Sequence, residues 1–222
     1  MNHLELISTQ ALYKAAKEIY ARTPEALTWH QKLVSVWRPF YAPFDALLKW
    51  IPEHSSLLDI GCGTGCFLFL ALKSRRVRHA IGVDVSASSL ALARKVNPFS
   101  EQQVEFHIGK AIEPGWLTSV QVVSVIDALH HIPALERTSF LAQLASDCQA
   151  GTRLIIKDLD PKPRWKAWAN TATDYLSTRS RVSYCGLSEV AHFFEQRGWK
   201  TLESSRLDKH VWNHYAWVGE KC

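Results

Sequence analysis

The sequence predicts an α/β fold built on a doubly wound, mostly parallel sheet, and three observations carry that prediction. From Leu57 onward, short apolar runs alternate with amphipathic stretches at helical spacing, the pattern of strands joined by crossover helices. Two of the apolar runs, Leu57-Leu58-Asp59-Ile60 and Ala80-Ile81-Gly82-Val83-Asp84, end on or next to an acid. The first of them leads directly into Gly61-Cys62-Gly63-Thr64-Gly65, where glycines at alternate positions allow a sharp turn and let a ligand lie on peptide N–H groups. Right-handed crossovers bring the carboxyl ends of parallel strands to one rim, where sheets of this kind bind their ligands.

The 222 residues are enough for one domain with a continuous core. Ahead of the first strand, Leu4, Ile7, Ala11, Leu12, Ala15, Ala16 and Ile19 recur at helical spacing and predict a helix over 4–21 that ends at Thr23-Pro24. Pro24 suits the first turn of a second helix, continued by Ala26, Leu27, Leu33, Val34 and Trp37 until Pro39 breaks it. Pro43 opens a short third helix through Phe44, Leu47, Leu48 and Trp50, closed by Pro52. Residues 1–54 are therefore expected to form a helical cap, and 55–222 the α/β core. Strands are expected near 56–60, 79–84, 103–108, 121–126 and 152–158, with helices near 65–74, 87–96 and 133–149. An aromatic and basic helix is read over 161–177, inside a substrate-covering insert near 160–187, followed by a helix capped by Ser188 and ending at Gly198. Two late strands, about 200–207 and 214–218, read as an antiparallel pair completing the sheet.

Composition excludes several classes. A formal net charge of +5 is a mild excess, far from a nucleic-acid-binding tail. The five cysteines form no Cys-x-x-Cys pair and leave an odd one over, so neither a metal site nor a disulfide framework is expected, and a reducing, cytoplasmic setting fits best. No apolar run approaches membrane-spanning length.

The glycine turn also excludes a dinucleotide fingerprint, which would need glycine where Cys66 stands. With Asp59 ahead of it and Asp84 closing the next strand, it resembles the first two motifs of the class I S-adenosylmethionine (SAM)-dependent methyltransferases of small-molecule type. That resemblance implies a Rossmann-like seven-stranded sheet, helices on both faces and a reversed last strand. It also implies SAM as cofactor: Gly61, Cys62, Gly63 and Gly65 around its methionine part, Asp59 supporting the turn and the amine, Asp84 on the ribose hydroxyls and Val85 flanking adenine. The family usually offers an acid to adenine after the third strand. This chain has Lys110 there, and a lysine cannot accept a hydrogen bond, so the backbone of Ala111 or Ile112 is expected to read the base. By the same resemblance the N-terminal helices close the pocket, with Trp37, Phe40 and Tyr41 as lid residues.

The fourth strand ends in Asp127-Ala128-Leu129-His130-His131, which in related enzymes faces the methyl group, and Asp127 joins the cofactor set. Successive side chains of an extended segment diverge, so one histidine is expected in the site. His130 is the first choice as general base and His131 the alternative. Asp158, from the fifth strand, is placed to orient it. An ordinary imidazole, titrating at about 6.5, suits proton removal near neutrality. Lys157, Lys162, Arg164, Lys166, Arg179 and Arg181 are expected around the pocket mouth. The reading is methyl transfer to a small aromatic or acyl acceptor, free or on a carrier protein, at oxygen, in secondary-metabolite or lipid chemistry. A nucleic-acid methyltransferase lacks its expected Asn- or Asp-Pro-Pro-aromatic run here, and a catalytically silent SAM-fold binding module remains the third alternative.

Overall fold

The computed structural model describes residues 7–22, 27–109, 113–161, 183–208 and 212–222. Seven strands form one sheet in the order β3-β2-β1-β4-β5-β7-β6. They are β1 (Ser55–Ile60), β2 (Val77–Asp84), β3 (Val104–Ile108), β4 (Val122–Ile126), β5 (Arg153–Leu159), β6 (Trp199–Arg206) and β7 (His214–Lys221). β7 runs antiparallel to both β5 and β6, which makes the last strand the reversed one. The expected seven-stranded Rossmann-like sheet is therefore the observed one. By internal contacts the chain divides into two compact units, Met1–Val122 and Val123–Cys222.

The first unit holds α1 (Thr9–Tyr20), α2 (Trp29–Val36), α3 (Arg38–Tyr41) and α4 (Phe44–Lys49), then β1, α5 (Cys66–Lys73), β2, α6 (Ala87–Val96), β3 and α7 (Pro114–Ser119). Ser8 caps α1, its hydroxyl accepting the Ala11 N–H at 3.2 Å. The start predicted at Leu4 lies outside the described residues. Pro39 does not simply end a helix. α2 stops at Val36, and Pro39 sits in the first turn of α3, where its missing N–H leaves no bond unmade. α5 is buried on every side except Lys73, which is why it reads as a continuous apolar run. β2 pairs in parallel with β1, Asp59 opposite Gly82, and with β3, Asp84 opposite Ile108. α7 was not anticipated; Pro114 opens it and Leu117 is buried. Gln121 ties the start of β4 to β1, its N–H reaching the Ser56 carbonyl at 3.2 Å while its side-chain oxygen accepts the Ser56 N–H at 3.1 Å.

The second unit holds most of β4, a 3-10 turn at Leu129–His131, α8 (Ala134–Asp147), β5, α9 (Leu187–Glu195), β6 and β7. Gly186, and not the expected Ser188, is the N-cap of α9; Ser188 lies inside the first turn. Gly198, at φ 77°, follows that helix as expected. Phe194 of α9 stacks on Trp217 with centroids 4.8 Å apart and meets Trp199 edge-on at 5.4 Å, so these two tryptophans are core residues. β6 alternates half-buried and exposed residues after Trp199, as an edge strand with one face on the core does. The helix read over 161–177, with Trp165, Trp168 and Tyr175, lies almost wholly outside the described residues.

Candidate functional site

The glycine turn is held by backbone bonds that only its glycines permit. Gly61, Gly63 and Gly65 all take positive φ, at 78°, 55° and 81°. The Gly61 and Cys62 N–H groups donate to the Val83 carbonyl at 2.8 and 3.1 Å, locking the turn to the neighbouring strand. The glycines differ in what a side chain would meet. At Gly65 a Cβ would lie 2.8 Å from the Phe69 ring, and at Gly82 it would lie 2.9 Å from the Cys62 sulfur, so both are glycine because the chain itself packs there. At Gly63 a Cβ would meet nothing within 4 Å. The turn therefore presents an open cradle at its middle residue.

Asp84 closes the cradle from β2. One carboxylate oxygen accepts the Gly63 N–H at 2.7 Å and the other the Ser86 N–H at 2.8 Å. The acid thus shapes the turn, and each oxygen keeps a further lone pair for a ligand. The adjacent Val85 is 63% exposed, an apolar surface beside the acid. Asp59 is buried at the end of β1. Burial, reinforced by the charges of Asp59 and Asp84, pushes the Cys62 thiol well above its ordinary range, so it stands as a neutral wall of the turn.

A second anchor was not legible beforehand. Tyr20 Oη, at the end of α1, donates to the Thr64 carbonyl at 2.9 Å, and the hydroxyls of Ser35 and Thr64 are 2.8 Å apart. The Cys66 thiol donates in turn to the Ser35 carbonyl at 3.1 Å. The N-terminal helices are therefore latched to the glycine turn through Thr64, a residue with no distinguishing signal in the sequence. Of the expected lid residues, Trp37 and Phe40 cluster with Tyr13, centroids 5.0 and 4.7 Å from it, and remain partly exposed; Tyr41 is half-buried. Lys110, Ala111 and Ile112 lie outside the described residues.

In the second unit two side-chain pairs link the ends of β4 and β5. Asp127, at a strained φ of 54°, receives the ammonium of Lys157 on its carboxylate and donates its own N–H to the Lys157 carbonyl at 2.9 Å. Lys157 is fully buried. It was expected at a solvated pocket mouth, and the correction has a simple cause: its position within β5 turns it inward, where only a carboxylate makes a buried ammonium tolerable. Lys162, Arg164, Lys166, Arg179 and Arg181 lie outside the described residues.

The other pair is His130 with Asp158. His130 Nδ1–H donates to Asp158 Oδ1 at 2.5 Å, and its backbone N–H donates to Oδ2 at 3.0 Å. The Leu159 N–H adds a third donor at 2.7 Å. A carboxylate cannot donate, so the proton of the neutral ring sits on Nδ1 and Nε2 is the basic nitrogen. His130 is 3% exposed, whereas His131 is exposed. The expectation that the two rings diverge is corrected. The segment is a 3-10 turn and not an extended strand, and the ring centroids lie 4.0 Å apart. The Ser183 N–H donates to the His130 carbonyl at 2.9 Å, while Arg137 donates to the Ser183 carbonyl. Among the described residues no group of three His, Cys, Asp or Glu is placed to hold a metal ion, and no helix is long and apolar enough to cross a membrane.

Comparison with known proteins follows the same lines. Residues 34–204 match a family described as a methyltransferase domain, well over half of the chain. The ubiquinone biosynthesis O-methyltransferase of Aromatoleum aromaticum is 25% identical over 182 residues, spanning 76% of this chain and 76% of that protein. The erythromycin 3''-O-methyltransferase of Saccharopolyspora erythraea is 28% identical over 163 residues, 67% of this chain and 52% of that one. The crystal structure of magnesium protoporphyrin IX methyltransferase from Synechocystis PCC 6803, with SAH bound, shares the fold with a TM-score of 0.63 at 17% identity, over 98% of this chain and 97% of that one.

Proposed function

Since the chain belongs to the class I SAM-dependent methyltransferases, the question is the acceptor, and we propose that it is an oxygen of a small aromatic or acyl molecule, free or presented by a carrier protein. The observation that carries this reading is the buried His130–Asp158 pair at 2.5 Å. A hydroxyl acceptor must lose a proton, and a histidine held in one tautomer by a carboxylate is suited to take it. Two of the relatives above are named as O-methyltransferases, which supports the same choice of atom.

SAM supplies an electrophilic methyl group on a sulfonium. Bound at the glycine turn, SAM would offer that carbon for in-line displacement by the acceptor oxygen, the electron pair of the carbon–sulfur bond leaving with sulfur. His130 Nε2 takes the acceptor's proton, and Asp158 steadies the imidazolium that results. The cradle around Gly61, Cys62, Gly63 and Gly65 fits the methionine part, with Asp59 toward the amine, Asp84 toward the ribose hydroxyls and Val85 against adenine. Asp127, whose carboxylate receives Lys157, is proposed with them at the cofactor rim, and the backbone of Ala111 or Ile112 is proposed to read the adenine. The test is direct. With SAM carrying a 13C methyl group and a panel of phenols, hydroxy-acyl thioesters and amines, the labelled carbon is expected at the chemical shift of an O-methyl group. An N- or C-methyl product would refute the choice of atom.

Asp84 yields a quantitative expectation. Asp84→Ala removes the ribose acceptor and releases the Gly63 and Ser86 N–H groups together. SAM affinity measured by titration calorimetry should fall by about 1.5–3 kcal/mol, roughly one to two decades. Asp84→Asn, which keeps one acceptor oxygen, should fall between. An unchanged Kd for Asp84→Ala would remove this residue from the cofactor site.

A further inference from the structure

Tyr215 is fully buried in β7, and among the described residues its hydroxyl has no hydrogen-bond partner. A buried hydroxyl left without a partner carries a desolvation cost that phenylalanine, filling the same space, would not. The position of this one gives the cost a purpose. In the antiparallel ladder Tyr215 stands directly opposite Asp158 on β5 and Arg206 on β6. Residues directly opposite share a face of the sheet, so the phenol lies on the same face as the carboxylate that holds His130. Asp160, two residues beyond Asp158 and therefore on that face too, receives Arg206 at 3.5 Å. Trp217, two residues further along β7, is fixed by its stack on Phe194, which anchors the strand beneath the tyrosine.

We propose that Tyr215 is an acceptor-binding residue, its hydroxyl donating a hydrogen bond to a second oxygen of the acceptor, next to the oxygen that His130 deprotonates. The assignment rests on the proposed oxygen methylation and adds a selectivity to it. A base with a hydrogen-bond donor beside it favours acceptors that carry two neighbouring oxygens over those that carry one. Burial, followed by the nearby charge of Asp158, pushes the phenol well above its ordinary range, so the group remains a donor at any working pH. The charges of Asp160 and the Cys185 thiol act in the same direction, and that of Arg137 opposes them.

The experiment compares 4-nitrocatechol with 4-nitrophenol, two chromogenic probes that differ in one hydroxyl, binding to the full chain saturated with the demethylated cofactor. Wild type should bind the catechol more tightly. In Tyr215→Phe that preference should shrink by about three- to tenfold, the effect of one hydrogen bond, with SAM affinity unchanged and Tm unchanged or higher, since the variant sheds a buried hydroxyl that has no partner in the fold. A preference that survives intact in the variant overturns the role of Tyr215 and leaves oxygen methylation standing. Failure of wild type to bind either probe overturns the aromatic-acceptor reading and this assignment with it. A marked fall in Tm for Tyr215→Phe would show that the hydroxyl serves the fold, and would also overturn it.

Discussion

Replacing His130 with alanine is expected to lower single-turnover methylation by about two to four decades while SAM affinity stays nearly intact, the cost of removing a general base from the chemical step. The two readouts separate because the base and the glycine cradle arise from different stretches of chain. The turn depends on Gly61, Gly63, Gly65 and Asp84, none of which the substitution touches. The fold should tolerate the change as well, since Asp158 keeps the N–H donors of residue 130 and Leu159. Both kcat and kcat/KM should fall together, as they do when an interaction made in the transition state is lost. The residual rate should climb with pH until the acceptor itself is ionised and level only there, because an acceptor that ionises in solution no longer needs the imidazole. His131→Ala, at the exposed ring, should change turnover by less than about threefold, the scale of a surface substitution. If His131→Ala is the damaging variant, the base is assigned to the wrong neighbour. If neither variant matters, the enzyme works by alignment of an already acidic or carbon acceptor.

The sheet was legible in the sequence because burial on both faces leaves each strand a short apolar run with little else to read. Val122–Ile126 is buried at every residue, and its prediction falls within one residue of the observed start. The glycine turn was legible for a related reason, since positive φ leaves few residue types possible, and Asp59 and Asp84 stood out as acids at the ends of apolar runs. The His130–Asp158 pair followed from placing both residues at adjacent strand ends. What sequence did not show are contacts that depend on tertiary placement of ordinary residues. Tyr20, Ser35 and Thr64 latch the first helices to the turn, yet a tyrosine at the end of an amphipathic helix or a threonine between glycines is unremarkable by itself. Lys157 reads as one more basic residue near a rim until its strand position shows it buried on Asp127. The 3-10 turn that brings the His130 and His131 rings together, tilted by 49°, is equally silent, since Ala128-Leu129-His130-His131 has neither helical periodicity nor alternation.

Replacing Gly63 with valine should abolish measurable SAM binding, raising Kd by at least about two decades, while the protein remains folded. The argument depends on which glycine is chosen. A side chain at Gly65 would press on the Phe69 ring at 2.8 Å, and one at Gly82 on the Cys62 sulfur at 2.9 Å, so either substitution would damage the core and confuse stability with binding. At Gly63 no atom of the chain lies within 4 Å of the added Cβ, and the space it would occupy is the cradle itself. The remaining cost to the fold is the left-handed backbone at φ 55°, about 1–2 kcal/mol for a residue with a Cβ and more for a β-branched valine. For a protein of this size that corresponds to a fall in Tm of about 2–4 °C for each kcal/mol. Calorimetric titration with SAM and with its demethylated product, beside a melting curve, separates the two effects. A folded Gly63→Val variant that binds SAM within about threefold of wild type, less than the roughly 1 kcal/mol expected from one lost hydrogen bond, would place the cofactor elsewhere than on this turn.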